Sequence, residues 1–356
     1  MAKVLMRGNH IVAESAIRAG CRYYFGYPIT PQNEISEYMS EKLSKLDGGA
    51  FIQADSEIAS IHMVIGASMA GGRVMTSSSG PGISLKQEGI SFLSALELPA
   101  VIVNMTRGGP GMGNIAPAQS DYFQATRGGG HGDYRNIVLA PNSGQELANL
   151  TYEAFDLGDK YRIPVIILGD GVLGQMMEPV EFPAEIQIKK LPYKDWTLTG
   201  AKGRPSRVIK SLLLDPFEEE EHNWKLMRKY EKISKEELKW ETYATDDAKM
   251  LVIAFGTAAR IAKGGIKRVR EEGLKVGLFR PISLWPFPFK VIKEFSKKVK
   301  HFIVFEMNMG QMVEDVKLSL EGSAEIHFYG RPGGIIPTPL EISRVISSQY
   351  YQKRLG

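Results

Sequence analysis

The chain has 356 residues, 43% of them hydrophobic and 24% charged, and 44 basic against 40 acidic side chains give a formal charge of +4. That length allows two or three domains, and so small and scattered a basic excess argues against nucleic-acid binding. No apolar run reaches the ~20 residues of a membrane span, and the start Met1-Ala-Lys-Val-Leu-Met-Arg7 lacks the apolar stretch of a signal peptide, so a cytoplasmic protein is expected. The single cysteine, Cys21, excludes an internal disulfide framework. It also excludes a cysteine-held iron–sulfur cluster within this chain, since such clusters take about four cysteines.

In chain order, residues 1–180 alternate apolar, β-rich runs with longer helical patterns. Strands are expected at 22–27, 50–53, 73–76, 100–105, 137–140 and 164–168, with helices such as 58–70 and 144–157 between them. The last run, Pro-Val-Ile-Ile-Leu, is apolar throughout, as in a parallel strand covered on both faces. Residues 186–246 change character. Glu218-Glu-Glu-Glu-His-Asn-Trp-Lys-Leu-Met-Arg-Lys-Tyr-Glu-Lys232 is dense in charge with a sparse apolar rhythm, which predicts a surface helix in a wrapping or bridging segment. A second α/β pattern follows: strands at 250–255, 275–279, 302–305 and 325–329, helices from 256 to about 272 and at 312–320. The expected architecture is α/β, two doubly wound parallel-sheet domains over 1–185 and 247–356, joined by 186–246.

Ligands in such sheets bind outside the carboxyl ends of the strands, and four loops expected there are unusual. In Gly26-Tyr27-Pro28-Ile29-Thr30-Pro31, two prolines stiffen a turn that presents the Thr30 hydroxyl, either to a substrate carboxylate or as a cap for the next helix. Gln53-Ala54-Asp55-Ser56-Glu57 opens a helix, and Glu57 falls in its first turn, where the dipole favours a carboxylate. Thr76-Ser77-Ser78-Ser79-Gly80-Pro81-Gly82 exposes hydroxyls and amides able to cradle a polar ligand, without the lysine of a Walker loop. Thr106-Arg107-Gly108-Gly109-Pro110 places an arginine fork after a buried strand, suited to a carboxylate or to a neighbouring acid.

Two patterns mislead. Gly111-Met-Gly-Asn-Ile-Ala116 imitates a dinucleotide fingerprint, but Pro117 interrupts the helix that should follow. Gly169-Asp170-Gly171 imitates the start of a diphosphate-magnesium motif, but no asparagine pair follows, so Asp170 reads as a turn residue. His131 sits in a polar loop, and no histidine or cysteine cluster has metal-ligand spacing.

Tyr27-Pro-Ile-Thr-Pro31, Gln53-Ala-Asp-Ser-Glu57, Thr76-Ser-Ser-Ser-Gly-Pro-Gly82 and Arg107-Gly-Gly-Pro110, taken in order, resemble the pyrimidine-binding domain of the 2-oxoacid:ferredoxin oxidoreductases. Phe305-Glu-Met-Asn-Met-Gly-Gln311 and Tyr329-Gly-Arg-Pro-Gly-Gly334 are similar to that family's transketolase C-terminal-like domain. The resemblance is nearest to the branched-chain (3-methyl-2-oxobutanoate) members, with the 2-oxoglutarate members close by. It implies an α-type subunit in which Glu57 hydrogen-bonds N1′ of the aminopyrimidine of thiamine diphosphate. By the same resemblance Thr30 and Arg107 anchor the substrate carboxylate, and Pro28, Ile29, Ser77, Ser78, Ser79 and Gly80 line the cofactor. It further implies coenzyme A-dependent oxidative decarboxylation, with Mg2+ and iron–sulfur clusters on partners: a β-type subunit completing the site, γ and ferredoxin-like subunits, and ferredoxin as acceptor. A branched-chain substrate is expected to meet Met105, Met112 and Ile115. A 2-oxoglutarate enzyme would need a further basic group such as Arg127 or Arg135. A nicotinamide enzyme and a non-catalytic scaffold are the alternatives outside the class.

Overall fold

A computed structural model describes residues 3–188 and 191–355, which leaves Met1 and Ala2 of the N-terminal reading outside it. In the first half the elements are β1 Val4–Arg7, α1 Gly8–Arg18, β2 Tyr23–Gly26, α2 Asn33–Leu43, β3 Ala50–Gln53, α3 Glu57–Met69, β4 Val74–Ser78, α4 Pro81–Ala95, β5 Ala100–Thr106, α5 Tyr122–Arg127, β6 Ile137–Leu139, α6 Gly144–Tyr161, β7 Pro164–Asp170, α7 Gly171–Gln175 and β8 Met177–Val180. In the second they are α8 Pro216–Glu236, β9 Trp240–Tyr243, β10 Met250–Ile253, α9 Gly256–Glu271, β11 Val276–Pro281, β12 Ser283–Trp285, α10 Phe289–Phe295, β13 His301–Glu306, α11 Met312–Leu320, β14 Glu325–Gly330 and α12 Pro339–Gln352.

Seven strands form the first sheet in the order β12-β6-β7-β5-β4-β2-β3, and five form the second in the order β14-β13-β10-β11-β9. The inner strands run parallel, and β5 and β7 are buried along their whole length, because helices cover both faces. Each sheet ends on an antiparallel strand, β12 against β6 and β9 against β11. Three features differ from the sequence expectation, the first being β12, which lies within 247–356 yet joins the first sheet beside β6. The pair β1–β8 is an extra two-stranded antiparallel sheet. The bridging segment expected over 186–246 ends in β9, whose ladder partner β11 lies far along the chain and is invisible to local pattern.

Helix α8 wraps the first domain as its sparse rhythm predicts. Leu226, Tyr230 and Ile233, spaced four and three apart, bury into the first domain's core. Lys225 and Lys229 ion-pair with Glu97, and the Tyr161 hydroxyl donates to Glu236 and Glu237 at 2.6 Å each.

The two sheets are locked together by a buried polar seam. Gln119 donates from its backbone to the Met307 carbonyl and from its amide to the Phe255 carbonyl, both at 2.9 Å. The Tyr122 hydroxyl donates to Asp315 at 2.6 Å. Arg280 of β11, 1% exposed, reaches Glu146 of α6 at 2.6 and 2.9 Å and Glu241 of β9 at 2.9 Å. Asp170 caps α7, accepting from the amides of Val172 and Leu173 at 3.0 and 3.1 Å, and is held by Thr257 across the seam. These are the contacts of a helix cap. The Gly111–Ala116 run starts no helix: a bridge between Arg107 and Pro117 closes it into a loop.

Candidate active site at the rim of the first sheet

Parallel neighbours β5, β4, β2 and β3 end at Thr106, Ser78, Gly26 and Gln53. Their next loops therefore leave from one rim, and the four loops singled out in the sequence are brought together there.

Ser56 caps α3, its hydroxyl accepting from the Ala59 amide at 3.1 Å. This starts the helix so that Glu57 turns inward, 6% exposed. Its carboxylate tucks beneath the start of α4: a methyl group at Gly82 would lie 2.5 Å from Glu57 Oε1 and collide with the Ser78 hydroxyl. Only glycine leaves that space. Gly80, at φ +47°, occupies backbone space that favours glycine, and it packs against the Arg107 side chain.

Strand alternation divides the serines. Thr76 and Ser78 face α3 and α4. Ser77 faces the other way, where its hydroxyl donates to the Gln32 amide oxygen and lies 2.6 Å from the Tyr24 hydroxyl. Ser77 is thus engaged inside the protein, contrary to its expected place in the cofactor lining. Ser78 Oγ and Ser79 Oγ are buried with no protein partner among the described residues, as are Gln32 Nε2 and Arg107 Nε. Orphaned buried polar atoms are costly. Ser78 Oγ beside the Glu57 carboxylate and Arg107 Nε beside Gly80, with backbone stripped of side chains at Gly80 and Gly82, fit a polar heterocycle.

Arg107 is 7% exposed. Its guanidinium donates to the carbonyls of Thr30 at 3.0 Å and Met112 at 3.1 Å. Thr30 therefore meets Arg107 through its backbone, with its side chain half-buried. It does not cap α2, which begins at Asn33 behind Gln32. Pro28 is exposed and Ile29 half-buried on the same turn. Beside Arg107, burial raises the Asp121 pKa, opposed by the Asn104 amide at 2.9 Å and by Arg107 itself.

Two of the expected substrate-lining side chains, Met112 and Ile115, are exposed. The third, Met105, is buried in the core against Gly169, because strand alternation turns it away from the rim. Arg127 is spent on Asp315 at 3.1 Å and on the Phe123 ring at 4.3 Å. Arg135 donates to its own neighbour's carbonyl at 2.8 Å and lines a separate groove beside Trp224 and Trp285.

Sequence reasoning missed Lys86 and Gln32. Lys86 lies mid-helix in Ser-Leu-Lys-Gln-Glu, which reads as a solvated face, yet Lys86 is fully buried and Leu85 is 50% exposed. Its ammonium donates to the Ser60 hydroxyl and, at 2.9 Å, to Thr76 Oγ1. Among the described residues no group of three or more histidine, cysteine or acidic side chains is placed to hold a metal, and no helix is long and apolar enough to cross a membrane.

Residues 14–241 match the family model described as pyruvate flavodoxin/ferredoxin oxidoreductase, thiamine diphosphate-binding, and residues 248–342 match pyruvate:ferredoxin oxidoreductase core domain II. The ketoisovalerate oxidoreductase subunit VorB of Methanothermobacter marburgensis is 49% identical over 97% of both chains. The 2-oxoglutarate synthase subunit KorA of Methanocaldococcus jannaschii is 38% identical over 96% of this chain and 98% of its own. In structure, 2-oxoglutarate:ferredoxin oxidoreductase from Magnetococcus marinus, with 2-oxoglutarate, coenzyme A and succinyl-CoA bound, superposes with a TM-score of 0.85 at 29% identity, covering 98% of this chain and 65% of that longer one. A split-gene transketolase, an inactive β4 tetramer, shares the fold alone, at TM-score 0.58 and 10% identity over 96% of this chain and 97% of its own. The chain therefore belongs to the 2-oxoacid:ferredoxin oxidoreductases, as a subunit of a multi-subunit enzyme, and its residues 14–241 match that family's thiamine-diphosphate-binding domain.

Proposed function

We propose that this subunit takes part in the coenzyme A-dependent oxidative decarboxylation of a branched-chain 2-oxo acid, 3-methyl-2-oxobutanoate in the first instance, with electrons passing to ferredoxin. The observation that carries the choice of substrate is the disposal of the basic groups. A dicarboxylic 2-oxo acid needs a second cation, and Arg127 and Arg135 are both engaged elsewhere. The exposed side chains beside Arg107 are instead Met112 and Ile115, an apolar lining suited to a branched alkyl group. The higher identity to the ketoisovalerate subunit than to the 2-oxoglutarate subunits supports the same choice.

In this reading Glu57 holds the aminopyrimidine nitrogen and shares a proton with it, while Ser78, Ser79 and Gly80 border the ring. The bound cofactor supplies the carbon nucleophile and electron sink of the decarboxylation. Arg107 offers its remaining donors to the substrate carboxylate, pre-oriented by the Thr30 and Met112 carbonyls, so no rotamer search accompanies binding. A β-type partner brings the diphosphate and Mg2+ site and, with γ and ferredoxin-like subunits, the iron–sulfur clusters. Its docking surface includes Ile335 and Ile336, exposed on the loop that Asn114 holds through the Gly333 carbonyl at 2.9 Å.

The test is co-purification with the partner subunits and assay of coenzyme A-dependent viologen reduction. 3-Methyl-2-oxobutanoate is expected to exceed 2-oxoglutarate in kcat/KM, and Glu57→Gln is expected to abolish turnover while the complex stays assembled. Preference for 2-oxoglutarate would overturn the substrate, and full turnover in Glu57→Gln would overturn the role of the carboxylate.

A further inference from the structure

Lys86 has no part in the mechanism above, yet it is a lysine sealed from water one shell beneath the carboxylate that mechanism needs. Its ammonium donates to Ser60 and Thr76. Ser60 in turn donates to the Glu57 carbonyl at 2.8 Å, clamping the first turn of α3. Thr76 donates to the Phe25 carbonyl at 2.6 Å, fixing β4 to β2 two residues before Ser78. One side chain from α4 thus ties together the helix that carries Glu57 and the strand that carries the serine rim. A solvated lysine is worth little to such a tie, and burying one is expensive unless its charge meets an opposite one. Among the described residues Glu57 is the one charged group whose field reaches Lys86.

We propose that Lys86 is a positioning residue for Glu57: its buried ammonium, anchored on Ser60 and Thr76, is the counter-charge that fixes the carboxylate at the height where it meets the cofactor. This rests on the reading of Glu57 given above. Burial pushes the Lys86 pKa down to about 7 and Glu57 pushes it back up, so desolvation outweighs the single attraction. With the folded group near 7 and the ordinary value at 10.5, the unfolded chain holds the extra proton between those limits. The lysine therefore costs stability in full below that window, and the cost is relieved as pH rises through it.

The experiment uses the assembled complex carrying Lys86→Met, Glu57→Gln or both, with thiamine diphosphate affinity measured by fluorescence titration alongside the pH profile of kcat/KM. Lys86→Met is expected to weaken thiamine diphosphate binding by at least about tenfold. Removing the ammonium removes a group that titrates near 7 beside the carboxylate, so the kcat/KM profile should change shape around that pH. Heat denaturation of the cofactor-free complex should also lose part of its rise in stability above pH 7. In the Glu57→Gln background Lys86→Met should change affinity no further. Unaltered affinity and pH profile in Lys86→Met, with Glu57→Gln inactive, would overturn the inference while leaving Glu57 its role. Equal losses in both backgrounds would also overturn it, because the lysine would then act through packing alone. If Lys86→Met fails to assemble, Lys86→Gln keeps donors for Ser60 and Thr76 without the charge and is judged by the same criteria. Full turnover in Glu57→Gln would bring down the assignment of Glu57 and this inference with it.

Discussion

The sharpest test of the rim is one methyl group. At Gly82 an added Cβ would sit 2.5 Å from Glu57 Oε1 and 3.2 Å from its carboxyl carbon, and closer still to the Ser78 hydroxyl. Carbon–oxygen contacts normally stay beyond about 3.3 Å, so the carboxylate must retreat by roughly 0.8 Å. A displacement near 1 Å in a reacting group can cost about 10²-fold in rate, or about 3 kcal/mol of barrier. Stability should change less, because overpacking costs about 1–3 kcal/mol and alanine returns about 1 kcal/mol of helix preference. Gly82 does not lie at positive φ, so the backbone itself accepts alanine. Gly66 provides the control on α3: nothing lies within 4 Å of a methyl placed there. Gly66→Ala should gain about 0.5–1 kcal/mol with turnover unchanged. The assay is kcat and KM for the 2-oxo acid in the assembled complex, with heat denaturation in parallel. If Gly82→Ala turns over as fast as Gly66→Ala, the close packing of Glu57 under α4 has no catalytic consequence and the argument from geometry fails.

Two further outcomes follow from burial. Arg280→Met leaves Glu146 without its cation at the domain seam, while Glu241 keeps Lys263, and should cost about 1–3 kcal/mol, read as a fall in Tm; an unchanged Tm would show that the cluster is not closed in solution. Cys21 is wholly buried and its thiol is pushed up to about 12 by desolvation, so iodoacetamide at pH 8 should modify it only after denaturation. Fast labelling of the native protein would place Cys21 at the surface.

Local sequence determined a great deal of this protein. Continuous apolar runs gave the parallel strands because a strand covered on both faces has no polar side to show. The glycines of 80 and 82, the prolines of 28 and 31, and a serine before Glu57 marked the rim, because turns and helix starts are short-range chemistry. Resemblance among those four loops singled out Glu57 and Arg107, both of which the fold buries at that rim. Tertiary structure decided what period and spacing do not encode: which side of the sheet each rim residue faces, and who takes its hydrogen bonds. It turned Ser77 and Met105 inward, gave Arg127 to Asp315, set β9 at the sheet edge beside β11 and not beside β10, its neighbour in sequence, and carried β12 to the edge of the first sheet, whose other members lie far along the chain. It also buried Lys86 and exposed Leu85 on α4. The reason is physical: a buried charge or hydroxyl is tolerated only where distant residues supply its partner, and that pairing exists only once the chain has folded.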